Sequence, residues 1–402
     1  MRVALCVISK FHHFELARQL MRHDALEKIY SGYPWWKLKN EGVPRSKVAT
    51  WPWLHSSRMA LARYKLLSRP VLQNLDDLTH RSFSAHVAKA LPAGLDIFHG
   101  LGRYSLTAGI AAQKMGARFI VDVGSSHVQT HVDLVTSEAE ALNCPVRKPH
   151  PNGIDRELKE YEVADLITVP SDFVLQSFLD RGVPREKIAK VPYGVDISRF
   201  SPRAVEDDGV FRVVFIGGLS LRKGIRYLIE GFNRAAIPNS ELVLIGSMGA
   251  QTSHAVKGLN LDRVRMTGHL PQSELPTWLS RSKVFVLPSL EEGLAMVQLQ
   301  ALACGCPVIA TTNTGGTEYI RHGENGFVVP IRDPDAIARH LIELADDPAK
   351  AKAMREAALK SAHQFGSATI YGDNMVRTYK ALLADGPKAA AFTVTPSTGR
   401  ER

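Results

Sequence analysis

The chain has 402 residues and a net charge of +10, with 45% hydrophobic and 22% charged residues. This length suits two domains of ordinary size, and the composition is typical of a globular protein. No window approaches 18 apolar residues in a row, so we predict no transmembrane helix. The four cysteines lack zinc-like spacing and indicate reduced, cytosolic thiols.

Nearly all of the excess positive charge lies in the first 75 residues, which hold 13 Lys and Arg against 4 Asp and Glu. The same stretch contains Trp35, Trp36, Trp51 and Trp53. This mixture suits an anionic membrane surface or an anionic glycan. A solvated basic face over core aromatics explains it equally well. Without a recognition motif, we expect no nucleic-acid partner. We expect a cytoplasmic protein in peripheral contact with the inner face of the plasma membrane.

Short apolar runs alternate with amphipathic helices in two successive series. The first series occupies residues 1–194 and begins with the run Val3–Ile8. That run lacks a small-residue cleavage site, so it predicts a strand and not a signal peptide. The second series occupies 210–365, after a polar linker over 195–209. The pattern predicts an α/β fold of two facing Rossmann-like domains, with doubly wound parallel sheets and a cleft between them.

The end of the chain departs from this alternation. An amphipathic segment over 366–384 predicts a terminal helix that packs back on the first domain. The remaining residues, 385–402, are low in complexity. We therefore predict a disordered tail there.

One stretch of the second series, residues 282–320, organises the rest. In it a polar turn, Ser289–Gly293, leads into a predicted helix over Ala295–Cys304. The first N–H groups of that helix and its dipole favour a phosphate. Glu292 lies beside them, where a carboxylate would repel a bare phosphate. The combination suits a ligand with phosphate at one end and hydroxyl groups at the other, such as a nucleotide-sugar.

Further candidates lie near this stretch. Arg222 and Lys223 occupy a glycine-bracketed turn, GGLSLRKG, from which both can reach a diphosphate. Gln300 follows Glu292 by about two helical turns, and its amide suits a ribose hydroxyl. Glu318, at a Gly-rich helix entrance, could touch the nucleotide. Each candidate also has a purely structural interpretation. Arg222 and Lys223 can be a surface pair in a turn, Gln300 an exposed helix residue and Glu318 an acid that favours the dipole of its helix. The turn does not have the spacing of a P-loop. No GxGxxG motif follows either opening strand, which disfavours a dehydrogenase.

Histidines end several strands of the first series, at the edge where ligands collect in parallel sheets. His127, in the sequence GSSH, can bond a sugar hydroxyl or move a proton, or it can simply cap the next helix. Of the adjacent His12 and His13, we expect at most one to face the cleft. The full set of acceptor-side candidates is His12, His13, His99 and Arg103.

The second half resembles the retaining glycosyltransferases of family 4, the glycosyl transferases group 1, which have the GT-B fold. The resemblance covers most of 191–383 and is carried by VPYGVDISRF, GGLSLRKG, LVLIGS, PSLEEGLAMVQLQALACGCPVIATTNTGGTEYI and HGENGFVVP. It implies transfer of a sugar, with retained configuration, from a nucleotide-diphosphate donor to a glycan or lipid-linked acceptor. No cofactor and no catalytic metal are implied, because the nucleotide-sugar is a substrate.

The resemblance also implies roles for particular residues. The catalytic group is His127, Glu292 and Lys223. The diphosphate site is Arg222, Lys223 and the backbone of Gly293, Leu294, Ala295 and Met296, and the nucleotide site is Gly217, Gly218, Gln300 and Glu318.

Three positions depart from the family pattern. Its Glu-x7-Glu signature is Glu292-x7-Gln300 here, and its GRL turn is Gly217-Gly218-Leu219, where Arg222 can supply the charge. The Gly-Gly turn after the first strand is replaced by SKFHHF.

Two alternatives to a glycosyltransferase stay open. One is a nucleotide-sugar epimerase or a phosphorylase on the same fold, and the other is a non-catalytic subunit that binds nucleotide or glycan.

Overall fold

The computed structural model describes residues 1–64, 67–145, 150–196, 199–365 and 367–392. These residues form two α/β domains, each built on its own parallel sheet. Within the described ranges, no helix combines the length and the apolar character needed to cross a bilayer.

The first domain contains a seven-stranded sheet. Its strands are β1 (Val3–Val7), β2 (Leu26–Ser31), β3 (Val48–Thr50), β4 (Ile97–Leu101), β5 (Arg118–Asp122), β6 (Leu166–Val169) and β7 (Ile188–Lys190). The order across the sheet is β3-β2-β1-β4-β5-β6-β7, and all neighbours are parallel. Every residue of β1 is buried, as expected for a central strand covered by helices on both faces.

The helices of this domain cover both faces of the sheet. They are α1 (His12–Arg22), α2 (Trp35–Leu38), α3 (Trp53–Arg63), α4 (Arg69–Ala90), α5 (Leu106–Lys114), α6 (Val128–Ala141), α7 (Pro151–Val163) and α8 (Asp172–Leu179). Two buried clusters, one on each side of the sheet, fill the space beneath them. The strand order reverses direction between β1 and β4, so the carboxyl ends of these strands form a crevice facing the second domain.

The second domain repeats the arrangement with six parallel strands. They are β8 (Phe211–Ile216), β9 (Ser240–Ile245), β10 (Val264–Gly268), β11 (Val284–Leu287), β12 (Val308–Thr311) and β13 (Gly326–Val329), in the order β10-β9-β8-β11-β12-β13. The helices are α9 (Ile225–Ala235), α10 (Thr252–Ala255), α11 (Leu275–Arg281), α12 (Met296–Ala303), α13 (Pro334–Asp346) and α14 (Pro348–Phe365). The helix predicted to follow β12 is instead two short 3-10 turns, Thr312–Thr314 and Gly316–Glu318.

Two helices follow the second domain and return to the first. They are α15 (Ala368–Asp385) and α16 (Pro387–Ala391). On α15, Gly372 packs so closely on Gln19 of α1 that a Cβ there would lie 2.3 Å from the Gln19 Cβ. The α16 helix corrects the predicted disorder from residue 385, because Ala390 and Ala391 are buried against the first domain. The rest of the predicted tail, residues 393–402, lies outside the described residues.

Candidate functional site

Two turns of the second domain meet at the carboxyl edge of its sheet. Residues 217–224 lead from β8 into α9, and a second turn leads from β11 into α12. The Leu290 N–H donates to the Arg222 carbonyl oxygen at 2.8 Å and joins the two turns. Gly224 is suited to the junction, since its φ is 62° and a Cβ there would lie 2.0 Å from the Pro288 carbonyl oxygen.

The charged groups expected to meet a diphosphate and a sugar form one cluster. Glu292 Oε1 lies 2.8 Å from Arg222 Nη1 and also pairs with Lys223 Nζ. The Lys223 side chain passes over Gly217, where a Cβ would lie 3.7 Å from the lysine Cε, while Gly218 is exposed. In this structure the acid therefore pairs with both cations, and the cluster keeps a net positive charge. A diphosphate that paired with the cations would release the carboxylate toward sugar hydroxyls.

Two cavities adjoin this cluster at the junction of the domains. One, of about 430 Å³, is lined by Arg222, Glu292 and the strand ends of the first sheet. The other, of about 330 Å³, is lined by Met296 and Gln300. Phe11, which is 49% exposed, lines both cavities and places them side by side. Each cavity is of ordinary ligand size, with the charged cluster at the larger one and Gln300 at the smaller one.

The backbone positions predicted to bind phosphate divide into two pairs. Gly293 and Met296 line the cavities. Leu294 and Ala295 are buried, and the Ala295 N–H donates to the Thr314 carbonyl oxygen at 3.2 Å. That N–H is therefore already used within the domain, which counts against Ala295 as a phosphate donor.

Gly293 also touches the first domain. A Cβ on this residue would lie 2.1 Å from the carbonyl oxygen of Gly124, which follows β5. The Ser171 hydroxyl donates to the Gly293 carbonyl oxygen at 2.6 Å. The turn that carries Glu292 is thus held between both domains.

His127 lies away from the cleft, contrary to its predicted role at the donor sugar. Only 3% of its surface is exposed, and its ring packs against Tyr161 and Phe178 with centroids 5.2 and 5.0 Å away. Its Nδ1 accepts from the Gln129 N–H, so the residue caps α6. Burial, with a smaller contribution from Arg181, lowers the pKa of His127 to about 4. The capping interpretation fits this placement.

Glu318 also differs from its predicted role beside the nucleotide. Its carboxylate accepts from the Asp172 N–H at 2.8 Å and lies 3.1 Å from Lys190 Nζ. Both partners belong to the first domain. Glu318 therefore ties the domains together, and it does not line either of the two cavities beside the charged cluster.

The three acceptor-side histidines converge on Asp122 at the end of β5. His12 Nε2 pairs with the Asp122 carboxylate, and His13 Nδ1 and His99 Nε2 each lie 3.9 Å from it. His99 also bonds to the Tyr379 hydroxyl of α15. His13 and His99 are wholly buried, and His12 is 5% exposed at the rim of the smaller cavity. His99 fastens α15 to the first domain. The burial of His13 and His99 corrects the expectation that they meet an acceptor, whereas His12 lines a cleft cavity, as expected if at most one of the adjacent pair faces the cleft.

Part of this cluster has the geometry of metal ligands. One atom each from His12, His13 and Asp122 lies within 4.8 Å of the others. Although burial opposes its charge, the charge and hydrogen bond of His12 hold the pKa of Asp122 well below its ordinary value. Burial lowers the pKa of His13 well below the usual range. His12 pairs directly with Asp122, and the buried His13 lies 3.9 Å from the same carboxylate.

Arg103 is a second acceptor-side candidate that reaches the cleft. It lines the larger cavity, and its Nε lies 2.8 Å from Glu157 Oε2 of α7. Its backbone φ is 78°, an unusual value for a non-glycine residue. The Arg103 N–H donates to Glu160, which holds this bend in place.

Two residues at the cleft were missed by sequence reasoning. Glu291 is fully buried, and its Oε2 lies 2.8 Å from Nδ1 of His131 on α6. The Ser126 N–H and hydroxyl donate to the other Glu291 oxygen at 2.8 and 2.9 Å. His131 is one helical turn beyond His127, so the spacing H-x-x-x-H could have drawn attention to it.

A comparison with protein families finds a match in the second half of the chain. Residues 196–361 match the family model for glycosyl transferases group 1. These residues comprise the second domain and its approach. The resemblance drawn from the motifs is confirmed at this level.

The similarity to curated relatives covers part of each protein. The chain is 30% identical over 234 residues to a GDP-mannose-dependent monoacylated alpha-(1-6)-phosphatidylinositol monomannoside mannosyltransferase of Corynebacterium glutamicum, covering 52% of this chain and 61% of that one. It is 27% identical over 180 residues to the amylovoran biosynthesis glycosyltransferase AmsK of Erwinia amylovora, covering 42% and 44%. The chain thus spans about half the length of the relatives it matches.

Solved structures match along nearly the whole chain. Sucrose-phosphate synthase from Thermosynechococcus elongatus superposes with a TM-score of 0.70 at 20% identity, covering 96% of this chain and 99% of that one. Anabaena HepE, in complex with UDP and glucose, gives a TM-score of 0.69 at 17% identity, covering 95% and 100%. At such identities the likeness shows the fold alone. The predicted GT-B fold is confirmed.

Proposed function

We propose that this protein is a retaining glycosyltransferase that moves a sugar from a nucleotide-diphosphate donor to a glycan or lipid-linked acceptor. The observation that carries the proposal is the cluster of Arg222, Lys223 and Glu292 at the mouth of the cleft. It holds two cations for a diphosphate and one acid for sugar hydroxyls, within bonding distance of one another. The relatives from Corynebacterium and Erwinia, a phosphatidylinositol monomannoside mannosyltransferase and an amylovoran biosynthesis glycosyltransferase, support sugar transfer to a glycan or lipid-linked acceptor.

The proposed mechanism is electrostatic. The leaving diphosphate gains negative charge as the bond to the anomeric carbon breaks, and Lys223 and Arg222 are placed to stabilise that charge. Their pairing with Glu292 fixes their positions beforehand. As the cations turn to the diphosphate, Glu292 accepts hydrogen bonds from the sugar. Contact between the domains at Gly293 excludes water that would otherwise capture the activated sugar.

The acceptor is proposed to enter from the first domain. A third cavity, of about 360 Å³, lies between α4, α6 and α7 and shares Arg103, His131 and Glu157 with the larger cleft cavity. Its other charged walls include the carboxylates of Asp76 and Asp77. Carboxylates and guanidinium groups side by side suit a ligand rich in hydroxyl groups, because each hydroxyl can both donate and accept.

The test is a thermal-shift screen of UDP, GDP, ADP and their sugars, followed by transfer assays with the donor that binds. A ligand that binds only the folded protein raises the unfolding temperature. The expected product has the anomeric configuration of the donor, read by NMR. An inverted product would contradict retention.

The same assays separate the alternatives. An epimerase would change the donor without an acceptor, and a phosphorylase would need inorganic phosphate. A non-catalytic subunit would bind nucleotide without releasing it from a donor sugar. Release of nucleoside diphosphate that depends on an added glycan or glycolipid favours the transferase.

Peripheral contact with an anionic membrane is proposed for the face of the first domain that carries α2 and α3. Trp36 and Trp53 are 67% and 69% exposed, whereas Trp35 packs against the core and Trp51 stacks on His86. Tryptophan at a surface with Lys37 and Lys39 suits a headgroup layer. Of the four tryptophans in the basic, Trp-rich stretch, two are therefore packed and two are exposed.

The membrane proposal is tested by sedimentation with lipid vesicles. Binding to anionic vesicles should fall with added salt and fall further in a Trp36→Ala, Trp53→Ala double variant. Equal binding to neutral vesicles would count against it.

A further inference from the structure

The carboxylate of Glu291 crosses the cleft. The residue belongs to the turn before α12 in the second domain, yet both of its oxygens bond to the first domain. Its partners are the Ser126 backbone and hydroxyl on one side and His131 on the other. Arg222 lies 3.5 Å from the oxygen that faces His131. A fully buried acid next to the donor-site acid, aimed at the opposite domain, calls for an explanation beyond packing.

The contact fixes which nitrogen of His131 carries hydrogen. Burial opposes the charge of Glu291, but the hydrogen bonds from His131 and Ser126 and the charge of Arg222 hold its pKa below its ordinary value. An ionised carboxylate only accepts hydrogen bonds, so Nδ1 of His131 is the donor. In a neutral imidazole the other nitrogen, Nε2, then has a lone pair available.

His131 lies where donor and acceptor would meet. Its side chain is 26% exposed and lines the cleft cavity that contains Arg222 and Glu292. It also lines the cavity of the first domain proposed for the acceptor. Among the cleft residues shared by these two cavities, His131 has a ring nitrogen suited to accept a proton. Arg103 is always protonated, and Glu157 is held by Arg103.

We propose that His131 Nε2 is the base that takes the proton of the acceptor hydroxyl, and that Glu291 of the opposite domain sets its tautomer. This inference rests on the proposed transferase function. The acceptor oxygen forms a bond to the anomeric carbon on the face from which the diphosphate departs, as the bond from that carbon to the diphosphate oxygen breaks, so the configuration is retained. The electron pair of the broken bond leaves with the diphosphate. The hydroxyl proton moves to Nε2, and Glu291 stabilises the resulting imidazolium.

Domain closure then assembles the base. The histidine is on α6 and its orienting carboxylate is before α12, so the pair exists only while the domains are together. Separation of the domains would leave His131 free to adopt either tautomer. Proton removal is thereby coupled to the closed state in which water is excluded.

The chain offers a matched control for a purely structural role. Seven residues beyond His131, on the same helix, Glu138 accepts from the Tyr227 hydroxyl at 3.0 Å and from Arg332 Nε at 2.8 Å. Both partners belong to the second domain. Removing this bond weakens closure without touching the cleft.

The experiment compares His131→Gln, Glu291→Gln and Glu138→Gln with the wild type in transfer assays. His131→Gln should lower kcat about 100-fold and leave the affinity for nucleoside diphosphate within about twofold. Glu291→Gln should lower kcat about tenfold, since the tautomer is no longer fixed, and Glu138→Gln should stay within about threefold. Free imidazole should restore part of the activity of His131→Ala.

Three outcomes would overturn the inference. If His131→Gln keeps the wild-type kcat, His131 is not the base. If Glu138→Gln loses as much kcat as Glu291→Gln, the contact between Glu291 and His131 only holds the domains together. In both cases the proposed function stands, because the wild type still consumes donor. A wild type that neither binds nor consumes any nucleotide-sugar would overturn the proposed function and this inference with it.

Discussion

The charged cluster of the second domain and the histidine cluster of the first contain similar groups in opposite surroundings. Glu292 and its partners Arg222 and Lys223 keep 13 to 31% of their side-chain surface exposed. His12 and Asp122 keep 1% each. Both clusters lie at the carboxyl ends of parallel strands, where sequence reasoning expects ligands. The difference shows that position in the fold is not sufficient, because α15 packs over part of the first edge, where Tyr379 bonds to His99.

The largest expected effect tests the exposed cluster. Lys223→Ala should lower kcat/KM for donor consumption by about 100-fold, since a preplaced cation on the leaving diphosphate is lost. Arg226→Ala is the matched control, because that cation lies three residues further along, in the first turn of α9, and pairs with Glu230. Steady-state kinetics and circular dichroism measure both variants. Equal activity of the two variants would remove Lys223 from the donor site.

Two glycine substitutions should separate the cost of a positive φ from the cost of a steric clash at the turn before α9. Gly224→Ala should lower the free energy of unfolding by about 3 kcal/mol, because it combines a positive φ with a close approach to Pro288. Gly258→Ala shares the positive φ, of 76°, but has no neighbouring atom within 4 Å. It should cost only about 1 kcal/mol. Similar losses in urea unfolding would show that the contact between the two turns is unimportant.

Acid should weaken the contact between the domains. Folding lowers the pKa of Glu291 from 4.5 to about 2, so the unfolded chain binds more protons between these values. The stabilisation is complete above about pH 4.5 and is lost as the pH falls toward 2. Between pH 6 and pH 3 the wild type should lose about 2 kcal/mol more unfolding free energy than Glu291→Gln. Parallel pH profiles of the two proteins in urea unfolding would contradict the assignment.

The sequence predicts the site residues of the second domain better than those of the first. The donor turns are contiguous, so GGLSLRKG and the stretch around Glu292 show their glycines, cations and acid at fixed spacing. The contact between Glu291 and His131 joins residues 160 positions apart, and no local pattern reports it. The burial of His13 and His99 depends on α15, nearly 300 residues further along. The alternation of strands and helices predicts both sheets, but β3 and α16 are too short to give a periodic signal.

The smallest expected effect concerns Gln300, which lines the smaller of the two cleft cavities. Gln300 lines the cavity at Met296, in the position proposed for the ribose. A carboxylate there would accept from both ribose hydroxyls, and hydrogen bonds to charged groups are stronger than neutral ones. Gln300→Glu should therefore tighten the binding of the preferred nucleoside diphosphate by about threefold to tenfold, measured by calorimetry. The 2′,3′-dideoxy analogue is the control, since it lacks both hydroxyls and should gain nothing. If the analogue gains as much, the gain does not come from the ribose hydroxyls, and the ribose lies elsewhere than at Gln300.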